Sequence, residues 1–173
     1  RRLKVNCMFR DRDGGYWIGA SSLGLQQLIP EKFQSFPGRA RPQMELRHKT
    51  VSSIYQMDSS LLWIGTLKGL QLYDLINQKE IHTPGLDHFC CRITCMYKDS
   101  KGHFWIGTEG EGYFRIKSVD EFISLGRIEY FSFLEQGVDV PQSNAAMRIM
   151  EDGAGNLWVG SFGSGINIRT AGA

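Results

Sequence analysis

The four tryptophans of the chain all occur in one repeated phrase, in which Trp is followed by Ile or Val and then by Gly. The phrases are Trp17-Ile18-Gly19, Trp63-Ile64-Gly65, Trp105-Ile106-Gly107 and Trp158-Val159-Gly160. Successive tryptophans are 46, 42 and 53 positions apart. Repeats of this length are typical of solenoids, propellers and repeat arrays, so the phrase limits the fold more than any other feature of the sequence.

Each repeat has the composition of several short strands. The segment before each phrase is rich in β-branched and aromatic residues, as in Val5–Phe9 and Ile93–Tyr97, which favours a strand. A polar stretch with Asp and Gly separates it from the Trp strand, which is typical of a hairpin turn. In three repeats Asp lies six positions before Trp and Gly three before it. The second repeat has Met57 and Ser60 there, so we expect a different turn.

A third strand follows a further Gly in every repeat, and a more polar fourth strand is readable in the first three. Four short antiparallel strands per 40 to 50 residues correspond to one blade of a β-propeller. No segment keeps a helical apolar period for three turns. The sequence therefore predicts an all-β fold, a propeller of four-stranded antiparallel blades. The predicted blades cover approximately 5–37, 51–84, 93–133 and 145–169 of a partial propeller domain, 1–173.

Two further expectations follow from this pattern. The fourth repeat lacks a readable outer strand, so we expect about four blades of a larger propeller, with a small closed propeller as the alternative. The tryptophans are expected to fill the gaps between adjacent blades rather than to contact a ligand, because a buried indole contributes a large apolar surface.

Composition argues against several classes of partner. The net charge of +2 is too small to indicate a direct nucleic-acid contact. No run of about 18 apolar residues occurs, so we expect no membrane contact by this segment. The chain begins with Arg1-Arg2-Leu3-Lys4, and any targeting segment is expected to lie outside the sequence.

Motifs for catalysis or metal binding are missing from the sequence. There is no Gly-x-Ser-x-Gly elbow, no His-Glu-x-x-His and no paired Cys-x-x-Cys, so we predict no catalytic residue, no cofactor and no metal. Asp11–Gly14 and Gly160–Gly165 are interpreted as turns rather than as calcium or phosphate loops. The redox state of the adjacent Cys90 and Cys91 stays open.

The phrase with its preceding turn, Asp-x-x-Gly-x-x-Trp-Ile-Gly-Thr in Asp99–Thr108, resembles the two-component regulator propeller repeat. The resemblance extends over all four repeats. It implies an extracytoplasmic sensory propeller, periplasmic in an inner-membrane hybrid histidine kinase, which commonly detects carbohydrate breakdown products. It also implies the remaining propeller and a downstream kinase as partners, with an oligosaccharide ligand and a homodimer as further expectations, and no enzymatic activity in this segment.

Candidate binding residues lie where the repeat is interrupted, because rigid scaffolds present binding groups on variable connections. A sugar site needs an aromatic ring for stacking and polar groups for hydroxyls, and arginines would favour acidic sugars. The candidates are Arg39, Arg41, Phe89 and Arg92. Ordinary solvated connections are the alternative for each of these residues. For the whole chain, the alternatives are a protein-interaction propeller without a small ligand and a propeller lyase or hydrolase.

Overall fold

A computed structural model of the chain describes residues 4–11, 14–21, 24–29, 32–36, 45–132 and 144–171. The chain forms two compact units, 1–82 and 83–173. The first unit contains two antiparallel sheets and the second contains two more, together with a short α-helix and a 3-10 helix. The predicted all-β class, with propeller blades as the repeating element, is confirmed.

The strands are numbered in chain order, and each blade takes consecutive strands. The first blade contains β1 (Val5–Arg10), β2 (Tyr16–Ala20), β3 (Gly24–Ile29) and β4 (Lys32–Phe36). The second contains β5 (Val51–Gln56), β6 (Leu61–Thr66), β7 (Gly69–Asp74) and β8 (Lys79–Ile81). The third contains β9 (Ile93–Lys98), β10 (Phe104–Thr108), β11 (Tyr113–Ile116) and β12 (Glu129–Phe131). The fourth contains β13 (Ala146–Glu151), β14 (Leu157–Ser161) and β15 (Ile166–Arg169).

Neighbouring strands in every blade are also neighbours in sequence, and all of them pair antiparallel. The Trp strand is the second strand of each blade and pairs with the first and the third. The pairing of the first two strands shifts beside the Gly of each phrase, as between Gly107 and Thr108. A glycine inside a strand typically marks a bulge or a close backbone approach, and this register shift is such a bulge.

A hydrogen bond from the indole of Trp to the Asp six positions earlier closes the first hairpin of three blades. The pairs are Trp17 with Asp11 at 3.1 Å, Trp105 with Asp99 at 2.8 Å and Trp158 with Asp152 at 2.8 Å. The same carboxylates accept hydrogen bonds from backbone N–H groups of their own turns. The Gly three positions before Trp adopts a positive φ in these turns, as at Gly102 (φ 86°). This backbone conformation is strained for residues that carry a Cβ atom.

The second blade closes its first hairpin differently, as the sequence predicts. Met57 takes the place of the Asp, and the Asp58 carboxylate accepts hydrogen bonds from the backbone N–H groups of Ser60 and Leu61. The backbone bond from Met57 N to Leu61 O keeps the turn at the same length as in the other blades. Blade geometry is therefore preserved although the carboxylate has moved by one position.

In each unit, one Trp packs between the two blades of that unit. In the first unit, Trp17 of blade 1 lies in a cluster with Val51, Leu62, Ile64 and Tyr73 of blade 2. The second unit repeats this arrangement: Trp105 of blade 3 packs with four buried residues of blade 4, Ala146, Ile149, Leu157 and Val159. For these two tryptophans the predicted role between blades is confirmed.

The third blade contains an α-helix that the repeat pattern did not predict. Helix α1 (Val119–Leu125) joins β11 to β12, and it begins after Ser118, which accepts a hydrogen bond from the N–H of Glu121. It ends at Gly126 in the left-handed conformation. At seven residues it is too short for the three-turn apolar period that we searched for. None of the helices in the described segments is long and apolar enough to cross a membrane.

We expect the glycines of the Trp phrase to differ sharply in their tolerance of alanine. A Cβ on Gly107 would lie 2.6 Å from Cys95 Sγ and 2.9 Å from the carbonyl oxygen of Ala146, whereas a Cβ on the equivalent Gly160 would have its nearest neighbour at 3.9 Å. Urea unfolding should show that Gly107→Ala lowers the free energy of unfolding by about 2 kcal/mol or more, because the core is overpacked. Gly160→Ala should change it by at most about 1 kcal/mol. Equal costs would contradict this packing.

The stability supplied by the Asp–Trp hydrogen bonds should disappear in acid. Hydrogen bonds from Trp158 and Asn156 lower the pKa of Asp152 to about 2, against about 3.9 for an unfolded aspartate. A lowered pKa contributes stability that is fully present above pH 4 and is lost as the pH falls towards 2. Asp152→Asn should therefore have a lower free energy of unfolding than the wild type at pH 5. Urea unfolding should show that this difference in free energy becomes smaller at pH 2. A gap that stays constant or widens would contradict the assignment.

Candidate functional site

Each blade has one end at which two chain segments meet through a backbone hydrogen bond. The first residue of the turn after the Trp strand donates its N–H to the carbonyl of the residue just before the blade's first strand. The pairs are Ser21–Lys4 (3.0 Å), Leu67–Thr50 (3.3 Å), Glu109–Arg92 (2.9 Å) and Phe162–Ala145 (3.0 Å). This end is the rim of the blade. Both its connections are free to vary in sequence, because neither belongs to the strands.

In the second unit the rims of blades 3 and 4 join into one row. Glu109 forms an antiparallel bridge with Ala145, and Gly112 N donates to Asn144 O at 2.6 Å. Arg92, Glu109, Ala145 and Phe162 therefore follow one another across four adjacent segments, and we call them the rim row. Neighbouring positions in such a row are about 5 Å apart, so the row has the length of a short oligosaccharide.

The rim row exposes an aromatic ring at one end. Phe162 is 71% exposed at the tip of the hairpin between β14 and β15. The equivalent positions in the other blades hold Ser21, Leu67 and Glu109. The sequence correctly predicted a turn in this hairpin, but Phe162 was not among the predicted binding residues. Alignment of the four turns would have found it, since this turn alone places an aromatic residue at that position.

The other end of the rim row is charged. Arg92 Nη1 lies 3.4 Å from Glu109 Oε2, and their side chains are 38% and 55% exposed. Nearby, the Cys91 thiol donates to Glu111 Oε2 at 3.3 Å. Burial, together with Glu111, raises the pKa of Cys91 to about 11, so this thiol is protonated at neutral pH and is a poor nucleophile. The rim side chains named here comprise one cation and two carboxylates.

The four candidates from the sequence have different outcomes. Arg39 and Arg41 lie outside the described residues. Arg92 lies in the rim row. Phe89, however, is fully buried: its ring centroid lies 5.0 Å from that of Phe114 and 6.4 Å from that of Phe122. Phe122 belongs to α1, so the unpredicted helix covers Phe89 and leaves no ring face for a ligand. Phe89 is a core residue rather than a binding residue.

Three of the four histidines make local contacts. His103 Nδ1 lies 3.0 Å from Asp99 within one turn, His48 Nδ1 accepts the N–H of Thr50, and His82 lies 3.8 Å from Glu80. No group of three His, Cys, Asp or Glu side chains suited to a metal ion occurs in the part of the chain that the structure describes. All four cysteines are described, and none forms a disulfide.

In the first unit, a buried side chain holds the connection before blade 2 against that blade. The buried Gln71 side chain donates to the Glu45 carbonyl at 2.9 Å and to Glu80 at 3.1 Å, and it accepts from Arg47 N at 2.6 Å. These residues line a cavity of about 280 Å³. Gln71 thus fixes the last residues of the basic connection, 38–49, to the outer strands of the blade.

Comparison with known proteins agrees with the repeat chemistry. The profile described as two component regulator propeller matches residues 3–22, 89–110 and 141–163. Three of the four Trp phrases thus lie in segments that match this repeat, which confirms the resemblance seen in the Trp phrase. The second repeat, in which Met57 replaces the Asp, falls outside the matched segments. A search of curated protein sequences gives no significant match.

Solved structures share the fold at low identity. The extracellular domain of a hybrid two component system from B. thetaiotaomicron is 21% identical, with a TM-score of 0.72 over 95% of this chain and 20% of that one. The chain thus spans about a fifth of that domain. The WD40 β-propeller domain of Doa1 is 12% identical with a TM-score of 0.66, over 95% of this chain and 50% of that one. Virginiamycin B lyase from Staphylococcus aureus is 14% identical with a TM-score of 0.58, over 96% and 55%.

Proposed function

We propose that this chain is part of the extracytoplasmic, periplasmic sensor propeller of a two-component signalling protein, and that the propeller binds products of carbohydrate breakdown at its rim. The two component regulator propeller repeats support the class of protein. The rim row is the observation that carries the site, because it joins an exposed aromatic ring to charged hydrogen-bonding groups. The segment itself acts by binding rather than by catalysis, and a histidine kinase outside this chain supplies the enzymatic step.

The chemistry of the rim row suits a saccharide. A pyranose ring presents C–H groups that pack against an aromatic face, and its hydroxyls hydrogen-bond to carboxylates and guanidinium groups. Phe162 supplies the face, and Glu109 and Arg92 supply the polar groups. Because Glu109 already neutralises Arg92 and Glu111 lies beside them, this part of the rim favours neutral or amino sugars. The acidic sugars expected from Arg39 and Arg41 would need residues outside this row.

Signalling follows if the ligand binds one of two arrangements of the sensor more tightly than the other. A ligand shifts a conformational equilibrium only by the difference between its affinities for the two states. The rim row joins segments from two adjacent blades, so a saccharide lying along it would contact both. We propose that this contact, or a rearrangement of subunits in a homodimer, biases the state that the downstream kinase reads.

A protein-interaction propeller is the second candidate, and one observation favours it. Met150, Ile166 and Ile168 of blade 4 are exposed, and the strand register places Met150 and Ile168 on either side of Trp158. On the corresponding side of blades 1 and 3, Trp17 and Trp105 pack against the following blade, so this exposed apolar face suits a further blade as well as a separate protein. A protein partner on this face would leave the rim row without a ligand of its own.

Calorimetry with the full-length protein and a panel of neutral, amino and acidic oligosaccharides tests the proposal. We expect a neutral or amino oligosaccharide to bind, and Phe162→Ala to weaken that binding roughly tenfold through loss of ring packing. Ile76→Ala is the matched control, since Ile76 is 70% exposed in the turn between β7 and β8 and is not one of the rim row residues. It should bind like the wild type, and both variants should unfold at the wild-type temperature.

Two results would contradict the proposal. Uniform failure of chemically distinct oligosaccharides would overturn the saccharide ligand and favour the protein-interaction alternative. Binding that is indifferent to Phe162→Ala would overturn the rim row as the site.

A further inference from the structure

A cleft of about 310 Å³ lies at the opposite end of blade 3 from the rim row, where α1 interrupts the repeat. The connection between the third and fourth strands contains four residues in blade 2, 75–78, but twelve in blade 3, 117–128. The volume of the cleft falls at the lower end of the range of small-molecule sites, roughly 300–1,000 Å³. The extra residues of blade 3 therefore supply most of the lining of this cleft.

The wall formed by α1 is firmly anchored. Phe122 is fully buried, and its carbonyl accepts a hydrogen bond from the Thr83 hydroxyl at 2.8 Å. The contact with Gly85 is so close that a Cβ on that glycine would lie 2.2 Å from the Phe122 ring. A helix fixed in this way holds the side chains on its outer surface at a defined distance from β11 and β12.

One carboxylate in the cleft is fully engaged. Glu129 forms ion pairs with Arg115 and with Lys117, the latter at 2.5 Å. Burial opposes its charge, but hydrogen bonds from Lys117 and Arg115 outweigh that effect and lower the pKa of Glu129. The Arg115 guanidinium also lies 5.3 Å from the centroid of the Trp105 ring, which fixes it against the core. This group forms the floor of the cleft.

The remaining pair in the cleft is weak. Arg127 Nη1 lies 3.5 Å from Glu121 Oε2, and their side chains are 67% and 50% exposed. Exposed ion pairs at such distances contribute little, because water screens both charges and two long side chains must be held in place. Arg127 can therefore exchange Glu121 for another carboxylate at small cost, and a planar guanidinium binds a carboxylate best through two parallel hydrogen bonds.

We propose that this cleft is a second ligand site, which takes a small monocarboxylate whose body is about the size of a monosaccharide. The ligand carboxylate displaces Glu121 and pairs with Arg127. The body of the ligand fills the cleft against the half-buried Ile128. Glu121 acts as an internal competitor that occupies Arg127 when the ligand is absent. This site does not depend on the rim row or on the function proposed for it.

Substitutions of Glu121 and Arg127 should change the affinity for the carboxylate ligand in opposite directions. The probes are sodium glucuronate, sodium cyclohexanecarboxylate and glucose, titrated into the full-length protein by calorimetry at low salt. At least one carboxylate should bind and glucose should not, and the comparison of the two acids identifies a hydroxylated or an apolar body. Glu121→Gln removes the competitor and should tighten binding roughly fivefold. Arg127→Gln should weaken binding at least roughly tenfold.

Asp120→Asn is the matched control, because it removes an exposed carboxylate from the same helix at a residue that does not line the cleft. It should bind the acid like the wild type. Failure of both acids to bind would overturn the site, as would a Glu121→Gln variant that binds no tighter than Asp120→Asn. Loss of acid binding in Arg127→Gln with oligosaccharide binding intact would separate this site from the rim row.

Discussion

The structure depends on how a buried indole satisfies its one polar atom. A Trp side chain offers the largest apolar surface of any residue, and its N–H usually pairs with an acceptor when the ring leaves water. In three blades the acceptor is the Asp of the preceding turn, whose carboxylate also holds the backbone of that turn. Burial opposes the charge on Asp99, yet the hydrogen bonds from Trp105 and His103 outweigh it and lower the pKa of this carboxyl. The contact between Asp and Trp thus stabilises the turn, the Trp strand and the packing between blades together.

This contact explains why side chains have different roles at the two ends of a blade. The hairpin with Asp and Gly is committed to the Trp strand, so substitutions there disturb the fold. At the rim, a backbone hydrogen bond joins the two segments in every blade, as between Glu109 N and Arg92 O, so no particular side chain is required to hold them together. The same position can therefore hold Ser21, Leu67, Glu109 or Phe162 without changing the blade. Recognition can vary at the rim while the scaffold stays constant.

The sequence predicted the parts of the structure that repeat. The spacing of Asp, Gly and Trp identified the hairpin and the packing of Trp between blades, because each follows from residue type within one repeat. Phe89 was misassigned for a physical reason: its burial depends on α1, a two-turn helix inserted thirty residues later, and no local pattern reveals that contact. Phe162 was overlooked because its turn is ordinary. It matters because it is exposed at a position that a backbone bond places beside Ala145, which in turn pairs with Glu109.

The coupling between Asp99 and Trp105 tests the central claim most directly. A double-mutant cycle with Asp99→Ala, Trp105→Phe and the double variant, followed by urea unfolding at pH 7, isolates the free energy that the two side chains share. Hydrogen bonds to charged groups contribute about 1.5–3 kcal/mol, so the account predicts a coupling of more than about 1 kcal/mol. Strictly additive effects of the two substitutions would contradict it, since the carboxylate and the indole would then stabilise the blade independently.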